Sequence, residues 1–202
     1  MKYYSFKLAI IIIGVFLLQL LIPDFTELFV IDDSKPFEIW RYLSAIFLHG
    51  SFLHLILNLF GLLFFGFILE HEIGSKKFLI VFLLAGIFSS VVSIFFYDRV
   101  LGASGAIFGI IGALTILRPG MTVWAYSIPM PLFIAAILWV LADIFGIFSP
   151  TNIANLGHLS GLLVGALIGF YFRSKMPKAN IKKDETNIPE EHIRDWEERY
   201  VR

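Results

Sequence analysis

Apolar residues lie along the chain in six long runs, separated by connections that are polar or contain Pro and Gly. The runs cover residues 6–22, 52–69, 78–97, 104–117, 131–148 and 156–172. The hydrocarbon core of a bilayer is about 30 Å thick, so apolar helical runs of about 20 residues are typical of membrane-spanning segments. The pattern predicts an all-α, polytopic membrane protein built as a bundle of six transmembrane helices.

The fourth run, 104–117, is shorter than the others. Its roughly 14 residues give about 21 Å of helix at 1.5 Å per residue, against a core about 30 Å thick. If the RPG sequence at 118–120 marks the inner surface, Ser104 lies below the outer one. Non-helical backbone at that depth is tolerated only where it is buried in protein or lines a wet cavity. We therefore expect residues 98–103 to dip into the membrane and Ser104 to begin a helix at the floor of a water-filled pit.

Composition agrees with a lipid environment. The chain is 58% hydrophobic and 16% charged, with mean hydropathy +0.82, whereas soluble domains carry about 25% charged residues. It has no cysteine, which excludes disulfides, thiolate nucleophiles and cysteine-ligated metals. We expect no cofactor, no metal ion and no nucleic-acid partner; the partner that the composition indicates is the lipid bilayer.

Basic residues orient the bundle, because Lys and Arg are enriched in cytoplasmic loops. With the N-terminus inside, the inner side collects Lys2, Lys7, Lys76, Lys77, Arg118, Arg173, Lys175 and Lys178. The outer side holds Lys35, Arg41 and Arg99. Both termini are therefore predicted to be cytosolic. No small-residue cleavage site follows the first run, so it is interpreted as a retained helix, in a prokaryotic cytoplasmic membrane.

The chain divides by composition into two parts. Residues 1–173 form the six-helix membrane core, and residues 174–202 form a polar cytosolic tail. Pro189 followed by two glutamates is typical of a helix start. The tail is therefore predicted to be partly helical.

Polar side chains occur inside the predicted spans. Ser104 stands in GASGAIFG at 102–109, and His54 and Asn58 are four residues apart and so share one helical face. His158 lies near the start of the sixth run. Polar groups in a span are costly and usually functional, although each alone could be a packing residue or interhelical glue. Their common depth favours one shared site.

Glycines indicate how two of these helices pack. The sixth run has glycine every four residues, at Gly157, Gly161, Gly165 and Gly169, and the fourth run has Gly105, Gly109 and Gly112. Such stripes permit close approach of two helix backbones. Packing along them is expected to bring Ser104 and His158, each one residue off its stripe, into hydrogen-bond range. Gly102 and Gly105 suit a site that a substrate backbone must approach.

Four motifs resemble the rhomboid intramembrane serine proteases: GASGAIFG, GHLSG at 157–161, HLILN at 54–58 and WR at 40–41. The resemblance covers about residues 36–172. It implies a rhomboid-like six-helix bundle with a short central fourth helix and an active site opening to the outer side. It also implies a serine endopeptidase that hydrolyses peptide bonds in or near transmembrane segments, with single-pass membrane proteins as substrates.

The resemblance also implies roles for individual residues. Ser104 would be the nucleophile and His158 the general base, in a dyad without a carboxylate. Asn58, His54 and the Ser104 backbone N–H would form the oxyanion hole.

Supporting positions follow from the same resemblance. Trp40 and Arg41 match a structural pair in the first outer loop, and His49 matches a recurrent histidine at the end of that loop. Phe108 stands where a tyrosine can stack on the catalytic histidine; it keeps the stacking surface and lacks the hydroxyl.

Three alternatives remain at this stage. Asp143 could be a third catalytic member, but we favour a structural or capping role, since buried carboxylates in spans usually pair within the protein. A non-catalytic rhomboid-like protein that binds transmembrane clients would be expected to lack Ser104 or His158. A transporter would spread its polar residues across the full membrane thickness rather than at one depth.

Overall fold

The computed structural model describes residues 2–149, 153–175 and 190–200. The helices in these segments are α1 Tyr4–Leu21, α2 Phe25–Phe29, α3 Arg41–Ser44, α4 Phe52–Gly61, α5 Phe67–Ile73, α6 Ser75–Ser93, α7 Ser104–Leu117, α8 Leu132–Ile147, α9 Asn155–Lys175 and α10 Glu190–Tyr200. A 3₁₀ turn covers Ala45–Phe47 and a π-helical turn covers Leu62–Gly66. The short strands are β1 Ile31–Asp32, β2 Arg99–Val100, β3 Thr122–Ala125 and β4 Ile128–Pro131.

Within the described residues, four helical segments are long and apolar enough to cross a membrane: α1, the continuous segment Phe52–Ile73, α6 and α9. The other two apolar helices, α7 and α8, are shorter, with 14 and 16 residues. The mostly helical membrane architecture that the sequence predicts is therefore confirmed. The helix after Pro189 is also present, as α10.

A buried carboxylate joins the start of α1 to α5. Glu70 has no exposed surface and accepts hydrogen bonds from the backbone N–H groups of Tyr4 and Ser5, at 2.8 and 2.9 Å, and from the Ser5 hydroxyl at 2.8 Å. The first N–H groups of a helix lack intrahelical acceptors, and α1 has no side-chain cap of its own. Glu70 therefore caps α1 from another helix and fixes the two elements together.

The second span begins and ends at recognisable signals. The Ser51 hydroxyl accepts a hydrogen bond from the His54 N–H at 3.1 Å and so caps α4. Gly74, at φ +83, separates α5 from α6, a conformation that favours glycine. The span therefore extends to Ile73, four residues beyond the predicted 69, and α6 runs from Ser75 to Ser93 instead of 78–97.

The centre of the bundle is α7, whose bounds agree with the predicted 104–117. Ile110, Ala113 and Leu114 on this helix have no exposed surface. It packs against α6, α8 and α9. The chain leaves α7 through an antiparallel β3–β4 hairpin, whose turn residues Tyr126 and Ser127 both have positive φ. Positive φ at both positions suits a tight hairpin turn, an element that the apolar pattern did not predict.

Candidate functional site

Ser104 is the first residue of α7, and it is half-buried. The first N–H groups of a helix have no intrahelical acceptor, so this end of α7 offers backbone donors next to the hydroxyl. Ala103 is fully buried, and Gly102 has φ +124, a conformation that L residues with side chains rarely adopt. The arrangement supplies a hydroxyl and free backbone donors at one end of a buried helix.

The backbones of α7 and α9 touch along their glycines. A Cβ atom added at Gly161 or Gly165 would overlap the carbonyl oxygen of Gly105 or Gly109, well inside the 3.0 Å that Cβ atoms keep from other atoms. A Cβ added at Gly105 would also overlap the Ser89 hydroxyl on α6. The predicted packing along the two glycine stripes is confirmed.

His158 follows Gly157 on α9, and 13% of its side chain is exposed. Its ring stacks on Phe108, with centroids 4.4 Å apart and planes at 9°. Because Phe108 is one helical turn after Ser104, the stack holds the imidazole beside the first turns of α7, and the predicted stacking surface is confirmed. Within the described residues, the Ser104 hydroxyl forms no hydrogen bond with His158, so the predicted contact between the two is not made in this structure.

Asp143 contacts the histidine directly. Its Oδ1 lies 3.1 Å from His158 Nδ1, and its side chain is 8% exposed. The sequence left open whether Asp143 reaches His158, and the structure shows that the two side chains meet. The contact is of the kind expected for a buried carboxylate that pairs within the protein. In the C-terminal half of α8 the backbone N–H groups are bonded within the helix and offer this carboxylate nothing to cap, so it pairs with the histidine.

His54 and Asn58 share one face of α4, as predicted. The Asn58 amide, 5% exposed, donates from Nδ2 to the His54 carbonyl at 2.8 Å. The His54 ring fills the space beside Gly102, where a Cβ would lie 2.7 Å from the ring carbon Cε1. Gly102 therefore makes room for His54 two residues before Ser104. In the described part of the chain, neither side chain hydrogen-bonds to Ser104.

A second histidine, His49, lies beside His54. The His49 ring is 2% exposed, lies 5.0 Å from the His54 ring, and has no hydrogen-bond partner for either nitrogen among the described residues. Burial, reinforced by the charge of His54, lowers the pKa of His49 from 6.5 to about 4. His49 is therefore neutral at physiological pH.

Gln19 on α1 holds this histidine by its backbone. It accepts from the His49 N–H at 2.9 Å and donates to the His49 carbonyl at 3.3 Å. Sequence reasoning missed Gln19, although an amide within the first apolar run was a visible signal. A cleft of about 470 Å³ borders both residues.

Arg41 organises the loop that joins α1 to α4. Its side chain is buried and donates to the carbonyls of Glu27 and Val30 at 2.7 and 2.8 Å, while Nε lies 2.5 Å from a Glu38 carboxylate oxygen. Trp40 is half exposed and reaches the Leu28 carbonyl at 3.4 Å. Hydrogen bonds to the Arg41 guanidinium therefore hold the parts of this loop together.

Comparison with known proteins places this arrangement in a family. The Rhomboid domain model matches residues 36–175. Rhomboid protease GlpG of Yersinia pseudotuberculosis is 28% identical over 172 residues, which cover 83% of this chain and 62% of that protein. Rhomboid protease GlpG of Yersinia enterocolitica is 31% identical over 141 residues, 69% of this chain and 50% of that protein.

The chain thus spans about three fifths or less of the length of these relatives. The family match covers more than half of the chain. It contains Ser104, Asp143 and His158, and also His54 and Asn58 on α4. Together with the apolar helices, it identifies the chain as an integral membrane protein of the rhomboid family.

Proposed function

We propose that the chain is an intramembrane serine endopeptidase that hydrolyses peptide bonds in or near transmembrane segments. One observation carries the proposal: the His158 imidazole is held between the Phe108 ring and the Asp143 carboxylate. His158 lies on α9, whose glycines contact those of α7, the helix that begins at Ser104. A histidine restrained in this way beside a half-buried hydroxyl is typical of a general base paired with a nucleophile. The protease relatives point to the same reaction.

In this proposal Ser104 is the nucleophile and His158 the base. The Asp143 carboxylate lies against Nδ1 of His158. The other ring nitrogen, Nε2, therefore accepts the proton of the Ser104 hydroxyl as the serine oxygen attacks the peptide carbonyl. The imidazolium then gives that proton to the leaving amine, and water hydrolyses the acyl-enzyme by the reverse transfers. A hydrogen bond absent from a substrate-free site often forms only when substrate binds.

The oxyanion formed by this attack needs donors. The Ser104 N–H lies at the free end of α7, Asn58 keeps a second amide hydrogen beyond its bond to the His54 carbonyl, and the His54 ring stands beside Gly102. Removing one donor of such a hole typically costs about 2.7–4 kcal/mol of transition-state stabilisation.

We further propose that residues 1–173 cross the bilayer six times, with α7 and α8 as the two short spans, and that the tail from 174 is cytosolic. Both termini then face the cytosol of a prokaryotic cell, and the site opens to the outer side. Clusters of basic residues near the inner ends support this orientation. A site at this depth suits single-pass membrane proteins as substrates.

The test is cleavage of a fluorescently labelled single-pass protein by the purified chain in liposomes. Wild type is expected to release the labelled fragment, whereas Ser104→Ala and His158→Ala are expected to lose at least about 10²-fold in kcat. Ser160→Ala is the matched control. It removes a half-buried hydroxyl on α9 whose one hydrogen bond among the described residues is to the Gly157 carbonyl, at 2.9 Å. The substitution should leave kcat within about threefold, as expected for a change outside the reacting groups.

Cleavage by Ser104→Ala at the wild-type rate would overturn the assignment. Binding of the substrate by wild type with no cleavage would instead indicate a non-catalytic rhomboid-like protein.

A further inference from the structure

The β3–β4 hairpin, which connects α7 to α8, has large exposed side chains at its tip. Val123 and Ala125 on β3 are 1% and 5% exposed and belong to the core, whereas Trp124 between them is 74% exposed. Tyr126 in the turn and Ile128 on β4 are 60% and 58% exposed. We call these three exposed residues the hairpin tip. One face of the hairpin therefore packs on the bundle, while the tip is open and mostly apolar.

Charged groups end where the hairpin begins. Arg118, which follows the last residue of α7, pairs with Glu72 at 2.8 Å, and Arg173 on α9 donates to the Ile116 carbonyl at 2.7 Å. These groups mark the polar level at this end of the bundle. From 119 to 142 the chain contains no Asp, Glu, Lys, Arg or His. Exposing such a segment to water is unfavourable, whereas Trp and Tyr are enriched at the boundary between membrane and water.

The length of α8 brings the hairpin to this boundary. The 16 residues of α8 give about 24 Å of helix, against a hydrocarbon core about 30 Å thick. β4 leads directly into α8 at Leu132. Phe133 and Ile137 on α8 are 44% and 54% exposed, so the apolar surface of the tip continues along the helix. If α8 crosses the bilayer, the hairpin must supply the remaining thickness at its end.

The backbone at the base of the hairpin suits a site in contact with lipid. The first N–H groups of a helix lack intrahelical acceptors, and unpaired donors are costly in a membrane. At the start of α8, the N–H groups of Leu132 and Phe133 donate to the carbonyls of Met121 and Pro119, at 2.8 and 3.1 Å. The chain that leaves α7 therefore satisfies two of these donors.

Two prolines remove donors from the open edge of β4. Pro129 pairs with Trp124, and Pro131 pairs with Thr122. In an antiparallel ladder alternate residues point their backbone groups away from the partner strand, and prolines in sheets occupy such positions because they have no N–H. An edge that lacks donors is compatible with lipid. It also disfavours addition of a strand from a second copy of the chain.

We propose that the β3–β4 hairpin is an interfacial anchor whose tip inserts into the bilayer among the lipid headgroups and the adjoining acyl chains. The partner is the lipid bilayer itself. Trp124 and Tyr126 suit this layer because each ring combines an apolar body with one polar group. The anchor sets the depth at which α8 begins. The inference goes beyond the proposed peptidase activity and rests on the proposed crossing of the bilayer by α8.

Fluorescence quenching in phosphatidylcholine nanodiscs, in which both faces of the bilayer are open to solvent, tests the anchor. The chain has no cysteine, so Trp124→Cys provides a single thiol for a fluorescent dye. We expect phospholipids with a nitroxide near the headgroup to remove most of the emission, and aqueous iodide to remove little of it. Ile128→Cys is a second reporter of the tip that keeps Trp124.

Two further labels provide the references. Lys76→Cys labels the exposed start of α6, at the end of that helix where Lys77 lies over the Phe172 ring, and iodide is expected to quench it. Ile137→Cys labels the exposed side of α8 and should respond most to a nitroxide placed deeper in the acyl chain.

Iodide quenching at positions 124 and 128 as strong as at position 76 would overturn the inference and leave the tip to a soluble partner. Labels at the tip that neither quencher reaches would also overturn it, because protein would then cover the tip. Iodide quenching at position 137 would refute the crossing by α8 together with the anchor. None of these results depends on cleavage, so they are separate from a failure of the proposed peptidase activity.

Discussion

The imidazoles of His49 and His54 are neighbours, with ring centroids 5.0 Å apart, and the His54 ring lies against Gly102 in the loop that leads into Ser104. Each residue is placed by hydrogen bonds to its backbone, His49 by Gln19 and His54 by the Ser51 cap. The low pKa of His49, about 4, follows from its burial. A neutral ring beside His54 packs closely without adding a second charge.

The buried His49 predicts a pH dependence of stability. Its folded pKa of about 4 lies below the unfolded value of 6.5, so the unfolded chain binds more protons between these values and stability falls as pH drops from 6.5 to 4. The full difference corresponds to about 3 kcal/mol. His49→Phe is expected to remove most of this acid-dependent loss, measured as unfolding free energy in micelles at pH 7 and pH 4.

His71→Phe serves as the control for that measurement, since His71 is exposed on α5 and should retain the acid loss. An equal loss in His49→Phe and wild type would contradict the account of His49.

Single residues differ in how far sequence alone located them. Phe108 follows Ser104 by one helical turn, and the resemblance of this motif to the rhomboid family was enough to predict its contact with His158. Asp143 is 15 residues from His158 along the chain, and the distance between them depends on how α8 and α9 dock. A short polar side chain in an apolar run marks a candidate, but its partner is a tertiary property.

Glycine placement controls how the helical elements meet. Gly105 and Gly109 on α7 face Gly161 and Gly165 on α9 so closely that backbone meets backbone. Small residues let helices associate in this way in membranes. The contact sets the separation of the helices that carry the hydroxyl and the imidazole, so the proposed catalysis depends on the same residues as the packing.

A single methyl group tests this contact. Gly165→Ala places a Cβ against the carbonyl oxygen of Gly109, a backbone atom that cannot rotate away as a side chain could. Overpacking of this kind lowers the free energy of unfolding by about 1–3 kcal/mol. Gly14→Ala on α1 meets nothing within 4 Å and should be neutral or slightly stabilising. The measurement is unfolding free energy by SDS titration in mixed micelles.

We expect Gly165→Ala to be less stable than Gly14→Ala and also to lose cleavage activity. Equal stability of the two variants would contradict close packing of α7 on α9.

Elements were predicted well where the stop signals are local. The bounds of α7 agree because an Arg-Pro-Gly sequence ends it and Gly102 breaks the chain before it. The end of α6 at Ser93 was missed, since apolar residues continue to Phe96 and only the pairing of Arg99 with Asp32 and of Val100 with Ile31 shows that the chain has left the helix. Hydrophobicity alone does not mark such an exit.

At the scale of the whole molecule, α7 packs against three longer helices, α6, α8 and α9. An α7 of 14 residues is about 21 Å long and cannot cross a core of about 30 Å by itself, while α6 and α9 have 19 and 21 residues. In the proposed membrane orientation, so short a helix leaves Ser104 and the irregular backbone before it below the bilayer surface, where they are tolerated only if protein buries them or a wet cavity borders them. The proposed hydrolysis would require such a wet cavity, because water must reach the acyl-enzyme.

The most direct test of the central claim is covalent labelling of the native protein in liposomes with a fluorophosphonate, followed by peptide mass spectrometry. We predict an adduct on Ser104 and none on Ser160, formed at least about 10²-fold more slowly in His158→Ala, because the hydroxyl then lacks its base. Ser104 left unlabelled, or labelled at the same rate with and without His158, would contradict the claim that these two residues act together.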